Sequence, residues 1–152
     1  MDFIKVSEPS ISIFDFLPEE WKSELIPQWI KLNTSAKVYA NYENQNLVNI
    51  GIVFKDVLPK LSMAENVAKP FFKNALYLGY LYTHPDYRGK GIAKNWFESV
   101  KKQYPHKKFW LAIEDPGLLS FYLKLGFKEF LHPKFKLPIQ EQELILFYTP
   151  YD

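Results

Sequence analysis

Thr83-His84-Pro85-Asp86-Tyr87-Arg88-Gly89-Lys90-Gly91-Ile92-Ala93 joins an apolar, aromatic run to the start of an amphipathic one, and its reading decides the fold. Upstream, Ala75 to Thr83 is rich in Leu and Tyr and reads as a strand ended by His84-Pro85. Downstream, Ile92, Trp96, Val100 and Tyr104 recur at helical spacing with Ala93 and Phe97 beside them. Lys94, Asn95, Glu98, Lys101 and Lys102 form the opposite face, and Pro105 stops the helix. Two glycines in such a turn let the backbone approach a ligand closely, and the first N–H groups of a helix have no partner within it. With Arg88 and Lys90 alongside, the turn is an anion site suited to phosphate or pyrophosphate. Two common phosphate loops do not fit. Gly89-Lys90-Gly91-Ile92 lacks the spacing and the hydroxyl of a Walker loop, and Lys94 stands where a dinucleotide fingerprint needs a small residue.

Working outward, the first fifteen residues alternate loosely and hold one strand, with Phe3, Ile4 and Val6 followed by Ile11, Ile13 and Phe14. From Pro18 to Leu32 the pattern turns helical: Trp21, Leu25 and Trp29 recur every four residues, and Glu19 and Glu20 suit the first turn of a helix. Pro27 predicts a kink or two short helices. Val38, Ala40 and Tyr42 alternate with Lys37, Tyr39 and Asn41, Glu43 to Asn46 reads as a turn, and Leu47 to Phe54 is apolar, so a hairpin is expected. Lys55 to Lys73 is a connection with room for a short helix. Beyond the central helix, Lys108 to Ile113 is a short buried strand. A second helix follows, with Asp115 as N-cap, Pro116 at its first position and Gly126 as its stop. Strands near Phe127 to Leu131 and Glu143 to Tyr148 complete an α/β pattern with a mixed sheet. No repeat or linker interrupts residues 1–152, which read as a single domain.

Composition narrows the chemistry. The 152 residues contain no cysteine, which removes disulfides, thiolate metal sites and thiol nucleophiles together. A net charge of +2 with 17 acidic residues argues against nucleic acid as a partner. Apolar runs are far shorter than the ~20 residues of a membrane span, and no leader pattern opens the chain, so a cytoplasmic protein without a membrane partner is expected. The three histidines show no metal-ligand spacing, and no metal is expected. Among the basic residues only Arg88 is an arginine, and it sits in the anion-binding turn. Aromatic residues make up 18%, enough to line a core or a cleft with rings.

Arg88-x-x-Gly91-x-Ala93 resembles the Q/R-x-x-G-x-G/A signature of the GNAT superfamily of N-acetyltransferases, and Phe121-Tyr122-Leu123-Lys124-Leu125-Gly126-Phe127 resembles that family's second motif, aromatic-Tyr-x-x-x-Gly-Phe. The resemblance is specific over residues 75–129 and implies a mostly antiparallel central sheet flanked by helices, with acetyl-CoA as co-substrate. It implies that backbone N–H groups of Arg88, Gly89, Lys90, Gly91, Ile92 and Ala93 hold the pyrophosphate. The backbone of Leu81, Tyr82 and Thr83 would pair with the pantetheine arm as an added strand, one N–H holding the oxyanion. Tyr122 aligns with the general acid that protonates the departing thiolate, although an aromatic residue on an apolar helix face is otherwise most simply core. Asp115 stands where the family often has an Asn touching the arm, and as a helix cap it needs no ligand.

A free alkylammonium must lose a proton before it attacks, its pKa being near ~10. Glu114, at the end of a central strand, is the first candidate base and His84 the second. The implied reaction is transfer of acetyl to a primary amine of a small molecule or peptide. The hairpin, the Pro18–Leu32 helices and the strand bearing Tyr77, Tyr80 and Tyr82 would line the acceptor end, where rings suit cationic groups. The alternative is a catalytically silent acyl-CoA-binding sensor or partner-binding module with the same fold. An aromatic-rich surface also permits a homodimer.

Overall fold

The computed structural model describes residues 1–133 and 143–150. Its elements are β1 (Asp2–Val6), α1 (Glu19–Leu25), α2 (Trp29–Leu32), β2 (Ala36–Glu43), β3 (Asn46–Phe54), α3 (Met63–Ala68), β4 (Ala75–Thr83), α4 (Ile92–Gln103), β5 (Lys108–Ile113), α5 (Leu119–Lys124), β6 (Lys128–Glu129) and β7 (Leu144–Tyr148). The strands form one seven-stranded sheet in the order β1-β2-β3-β4-β5-β7-β6. The β1–β2, β2–β3, β5–β7 and β6–β7 pairs are antiparallel, while β4 and β5 run parallel. This is the α/β arrangement with a mostly antiparallel sheet and flanking helices that the resemblance implies. Contacts gather into two compact units, Met1–Pro59 with Leu78–Pro105 and Lys60–Tyr77 with His106–Asp152, so β4 contributes residues to both.

In the first unit the helical stripe of the amino-terminal region is broken where proline requires it. α1 ends at Leu25, Ile26–Gln28 form a 3-10 turn containing Pro27, and α2 resumes at Trp29. Leu25, Trp29 and Leu32 remain buried, and the Trp29 ring meets Phe14 edge-on at 4.8 Å. The hairpin closes through Asn44 and Gln45, both at positive φ, the backbone demanded by a two-residue turn between twisted strands. α4 presents Ile92, Trp96, Phe97 and Val100 to the core. Tyr104, expected on the same stripe, lies past the helix end as its C-cap and is half-buried, its hydroxyl paired with that of Tyr39 at 2.9 Å.

The second unit is organised around Trp110 on β5, which stacks on Phe72 at 5.3 Å and takes the Tyr77 ring edge-on at 4.8 Å. Asp115 caps as the sequence predicts, its carboxylate accepting from the Gly117 N–H at 2.8 Å. It opens a 3-10 turn over Pro116–Leu118, however, and α5 begins only at Leu119. Gly126 follows α5 with φ of 102°, a conformation that favours glycine. β6 is shorter than expected because its registered pairing with β7 covers only Lys128 and Glu129.

Close packing fixes one glycine. A Cβ at Gly51 on β3 would be driven into the six-membered ring of Trp96. Gly51→Ala should therefore destabilise the protein by ~1–3 kcal/mol, the usual range for overpacking a tight core. Urea unfolding checks this, and an unchanged midpoint would show that the indole can move aside.

Candidate active site

The end of β4, the turn after it and the start of α4 all belong to the first unit. Gly89 and Gly91 have φ of 77° and 75°, so both use the left-handed region, and a side chain at either would be strained although nothing lies within 4 Å to obstruct it. Gly91 is the N-cap of α4 and provides no side-chain cap. The first backbone bond of the helix runs from the Asn95 N–H to the Gly91 carbonyl at 2.9 Å. The N–H groups of Ile92, Ala93 and Lys94 consequently have no partner within the helix, and no acidic residue occupies its first turn. Open space, uncapped donors and the positive end of a twelve-residue helix suit an anion such as a phosphate.

The basic residues of the turn are exposed and held by local contacts. Arg88 Nε donates to the Thr83 carbonyl at 3.1 Å, and its guanidinium lies 5.2 Å from the centre of the Tyr82 ring. Lys90 Nζ lies 5.2 Å from the Tyr87 ring. His84 closes the turn: its Nδ1 accepts from the Asp86 N–H at 3.1 Å, and its ring meets Tyr87 edge-on. Leu81, Tyr82 and Thr83 are half-buried. Beside them Tyr80 has φ of 56°, unusual for a bulky residue inside a strand, and its hydroxyl donates to Glu24 Oε1 at 2.8 Å. Trp21 meets both Tyr80 and Tyr82 edge-on, and Phe16 meets Tyr82.

Glu114, Asp115 and Tyr122 belong to the second unit. Glu114 and Asp115 are exposed just past β5. Tyr122 is buried on α5, its ring edge-on to Phe121 at 5.0 Å and to Phe127 at 5.4 Å. An open cavity of about 380 Å³ elsewhere in this unit, among Phe71, Phe72, Lys73, Lys108 and Phe147, contains none of the three. No cluster of three or more metal-ligating side chains occurs among the described residues, and no helix there is long and apolar enough to cross a membrane.

Several polar groups escape the sequence reading. Asn41 and Asn49 are fully buried in the first unit, and Asn49 Nδ2 donates to Thr83 Oγ1 at 3.0 Å. The available signal was an amide inside the apolar run from Val48 to Ile52. Glu65 is buried in the second unit, where Ser62 and Glu65 form a reciprocal capping box and Tyr77 donates its hydroxyl proton to the same carboxylate. Ser62-x-x-Glu65 carried that signal.

The sequence profile of the acetyltransferase (GNAT) domain matches residues 34–129. The chain belongs to the GNAT acetyltransferase family. It is therefore an acyltransferase by membership. Solved structures of the same fold include an aminoglycoside 6′-N-acetyltransferase complexed with coenzyme A, at 14% identity and a TM-score of 0.68, covering 98% of this chain and 97% of that one. A variant of spermidine N-acetyltransferase from Vibrio cholerae is 13% identical with a TM-score of 0.66, covering 98% and 95%. A GNAT family acetyltransferase from Elizabethkingia anophelis with acetyl-CoA bound is 16% identical with a TM-score of 0.64, covering 97% of each. No curated protein sequence matches the chain significantly.

Burial pushes the Tyr122 hydroxyl up to about 12, because its apolar surroundings disfavour the phenolate. Burial also raises Tyr104, helped by its hydrogen bond to Tyr39. The folded state holds the Tyr122 proton more tightly than the unfolded chain, whose tyrosines titrate near ~10. That contribution to stability is intact below pH ~10 and is lost as pH rises through about 12. Alkaline absorbance titration of the wild type and Tyr122→Phe should show one late-titrating tyrosine missing from the variant. Loss of a tyrosine titrating at the ordinary value instead would contradict the burial.

Proposed function

We propose that this GNAT acetyltransferase transfers the acetyl group of acetyl-CoA to a primary amine of a small molecule. The observation that carries the reading is the uncapped α4 N-terminus, reached through two left-handed glycines and flanked by Arg88 and Lys90. Those features favour a pyrophosphate held by the backbone N–H groups of residues 88–93, with β4 at Leu81 to Thr83 receiving the pantetheine arm. Asp115 is spoken for by its turn and is assigned no more than a peripheral contact with the arm. Solved proteins of the same fold acetylate spermidine and aminoglycosides, both polyamino compounds, which supports a small-molecule amine over a peptide. Reliance on acetyl-CoA, an intracellular metabolite, supports a cytoplasmic location.

Acetyl-CoA supplies an activated acyl group, and the chain supplies orientation and proton management. The amine nitrogen bonds to the acyl carbon, the carbon–sulfur bond breaks, sulfur takes a proton and the nitrogen releases one. Tyr122 is assigned the donor role on its alignment with the family's second motif, and its hydroxyl is protonated throughout the neutral range. Glu114 is assigned the acceptor role, through water, since its carboxylate is exposed beyond β5. His84 is less suited because its Nδ1 already closes the turn.

Calorimetric titration with acetyl-CoA, beside Arg88→Ala, tests the binding half. One-site binding weakened roughly tenfold by the substitution is expected from loss of a charge-assisted contact. Absence of saturable binding to the wild type would refute the assignment. The catalytic half is tested with Tyr122→Phe, which should lower kcat by ~10²–10⁴ while leaving acetyl-CoA affinity in place. Turnover unchanged in that variant would remove Tyr122 from the chemistry.

A further inference from the structure

Asn41 on β2 and Asn49 on β3 occupy directly opposed positions of an antiparallel pair, and both are fully buried. Their neighbours along the strands include Ala40, Val48 and Ile50. Apolar side chains would suit such a place better, because a buried amide is costly unless all its groups are bonded. This pair does not meet that condition. Asn41 Nδ2 donates to Asn49 Oδ1 at 3.0 Å, yet Asn41 Oδ1 has no partner among the described residues. What the arrangement achieves lies at its other end, where Asn49 Nδ2 donates to Thr83 Oγ1 at 3.0 Å and to the Tyr82 carbonyl at 3.4 Å.

Successive residues of a strand aim their backbone groups at opposite edges. The Tyr82 carbonyl turns to Asn49, and the His84 N–H donates to the Val48 carbonyl at 2.9 Å, so residues 82 and 84 use the edge facing β3. The Thr83 carbonyl points the other way and accepts from Arg88. Leu81 shares the edge of Thr83. Registered pairing of β4 with β5 covers only Ala75 to Tyr77, and the left-handed backbone at Tyr80 interrupts the strand before its final residues. The last residues of β4 therefore take their position from β3.

We propose that Asn49 is a positioning residue for the acyl-CoA arm. Gripping Tyr82 and Thr83 from the β3 side, it sets the backbone groups of Leu81 and the N–H of Thr83 at the geometry that pairs with the amides of the arm. Asn41 fixes the orientation of the relay: by donating to Asn49 Oδ1 it leaves Asn49 Nδ2 to face β4. The inference rests on the reading of β4 as the strand that receives acetyl-CoA. It narrows that reading to Leu81 and the Thr83 N–H, with the Tyr82 carbonyl committed to Asn49 and the Thr83 carbonyl to Arg88.

Three probes separate the arm from the nucleotide end: acetyl-CoA, S-acetylpantetheine, which has the arm alone, and adenosine bisphosphate, which has the phosphorylated nucleoside without the arm. Asn49→Ala removes the grip, Thr83→Val removes its hydroxyl target with little change of shape, and Thr83→Ser restores that target. Loss of one hydrogen bond should raise the Kd of the two arm-bearing probes roughly five- to tenfold in Asn49→Ala and Thr83→Val. The Kd of adenosine bisphosphate should stay put, and Thr83→Ser should bind like the wild type. The two changes should also be non-additive in the double variant, since they delete the same contact. Unchanged Kd values for the arm-bearing probes, or equal weakening of all three, would overturn the proposal and leave Asn49 a structural residue. Should Asn49→Ala fail to fold, the Thr83 pair decides alone. Failure of the underlying reading looks different, because the wild type would then fail to bind S-acetylpantetheine.

Discussion

The contact between Trp96 and the β2–β3 hairpin is the constraint on which the first unit depends. The indole lies over Gly51 with no room for a single added carbon, and its Nε1 donates to the Tyr39 carbonyl at 3.0 Å. Together these fix α4 in rotation and in height against β2 and β3. The helix start carries the uncapped N–H groups, and Trp96 stands little more than one turn along from Ile92, so a slip at the indole would be transmitted to the donors almost undiminished. Tyr104 holds the far end of the same helix through the Tyr39 hydroxyl. One residue of β2 thereby meets α4 at two levels, with its carbonyl and with its side chain.

β4 is the element in which the competing demands meet. Its first residues are ordinary buried strand, with Ala75 to Leu78 all in the core. Its later residues are half-buried and depart from regular pleating at Tyr80, where a tyrosine adopts a backbone that costs a bulky side chain of order 1–3 kcal/mol. The hydrogen bond to Glu24 and the edge-on contacts with Trp21 and Phe54 keep Tyr80 in that state. A strand with a regular start and a strained, partly open end is suited to offering backbone groups to something other than its own sheet.

Much of the fold is legible in the sequence because its boundaries are decided by local chemistry. Pro27 breaks a helix wherever it stands, Gly91 permits a left-handed entry to α4, and Asp115 with Pro116 opens a turn. The turn after β4 reads correctly as a place with uncapped donors for the same reason. Other features depend on partners distant in the chain. The brevity of β6 follows from its register with β7, and the burial of Asn49 follows from its place opposite Asn41 and beside Thr83. Alternation alone puts Asn49 on a face without saying what that face meets. Glu65 is a similar case. Its spacing from Ser62 announces a helix start, but only the tertiary approach of Tyr77 turns an ordinary capping residue into a buried carboxylate with two donors.

The apolar setting of Tyr122 makes its hydroxyl a secure store of a proton. A phenol held at about 12 ionises later than an exposed tyrosine at ~10, so over that interval the buried ring stays neutral while exposed ones carry charge. The contacts with Phe121 and Phe127 benefit from this, since an apolar cluster keeps its packing where a charged phenolate would call in water.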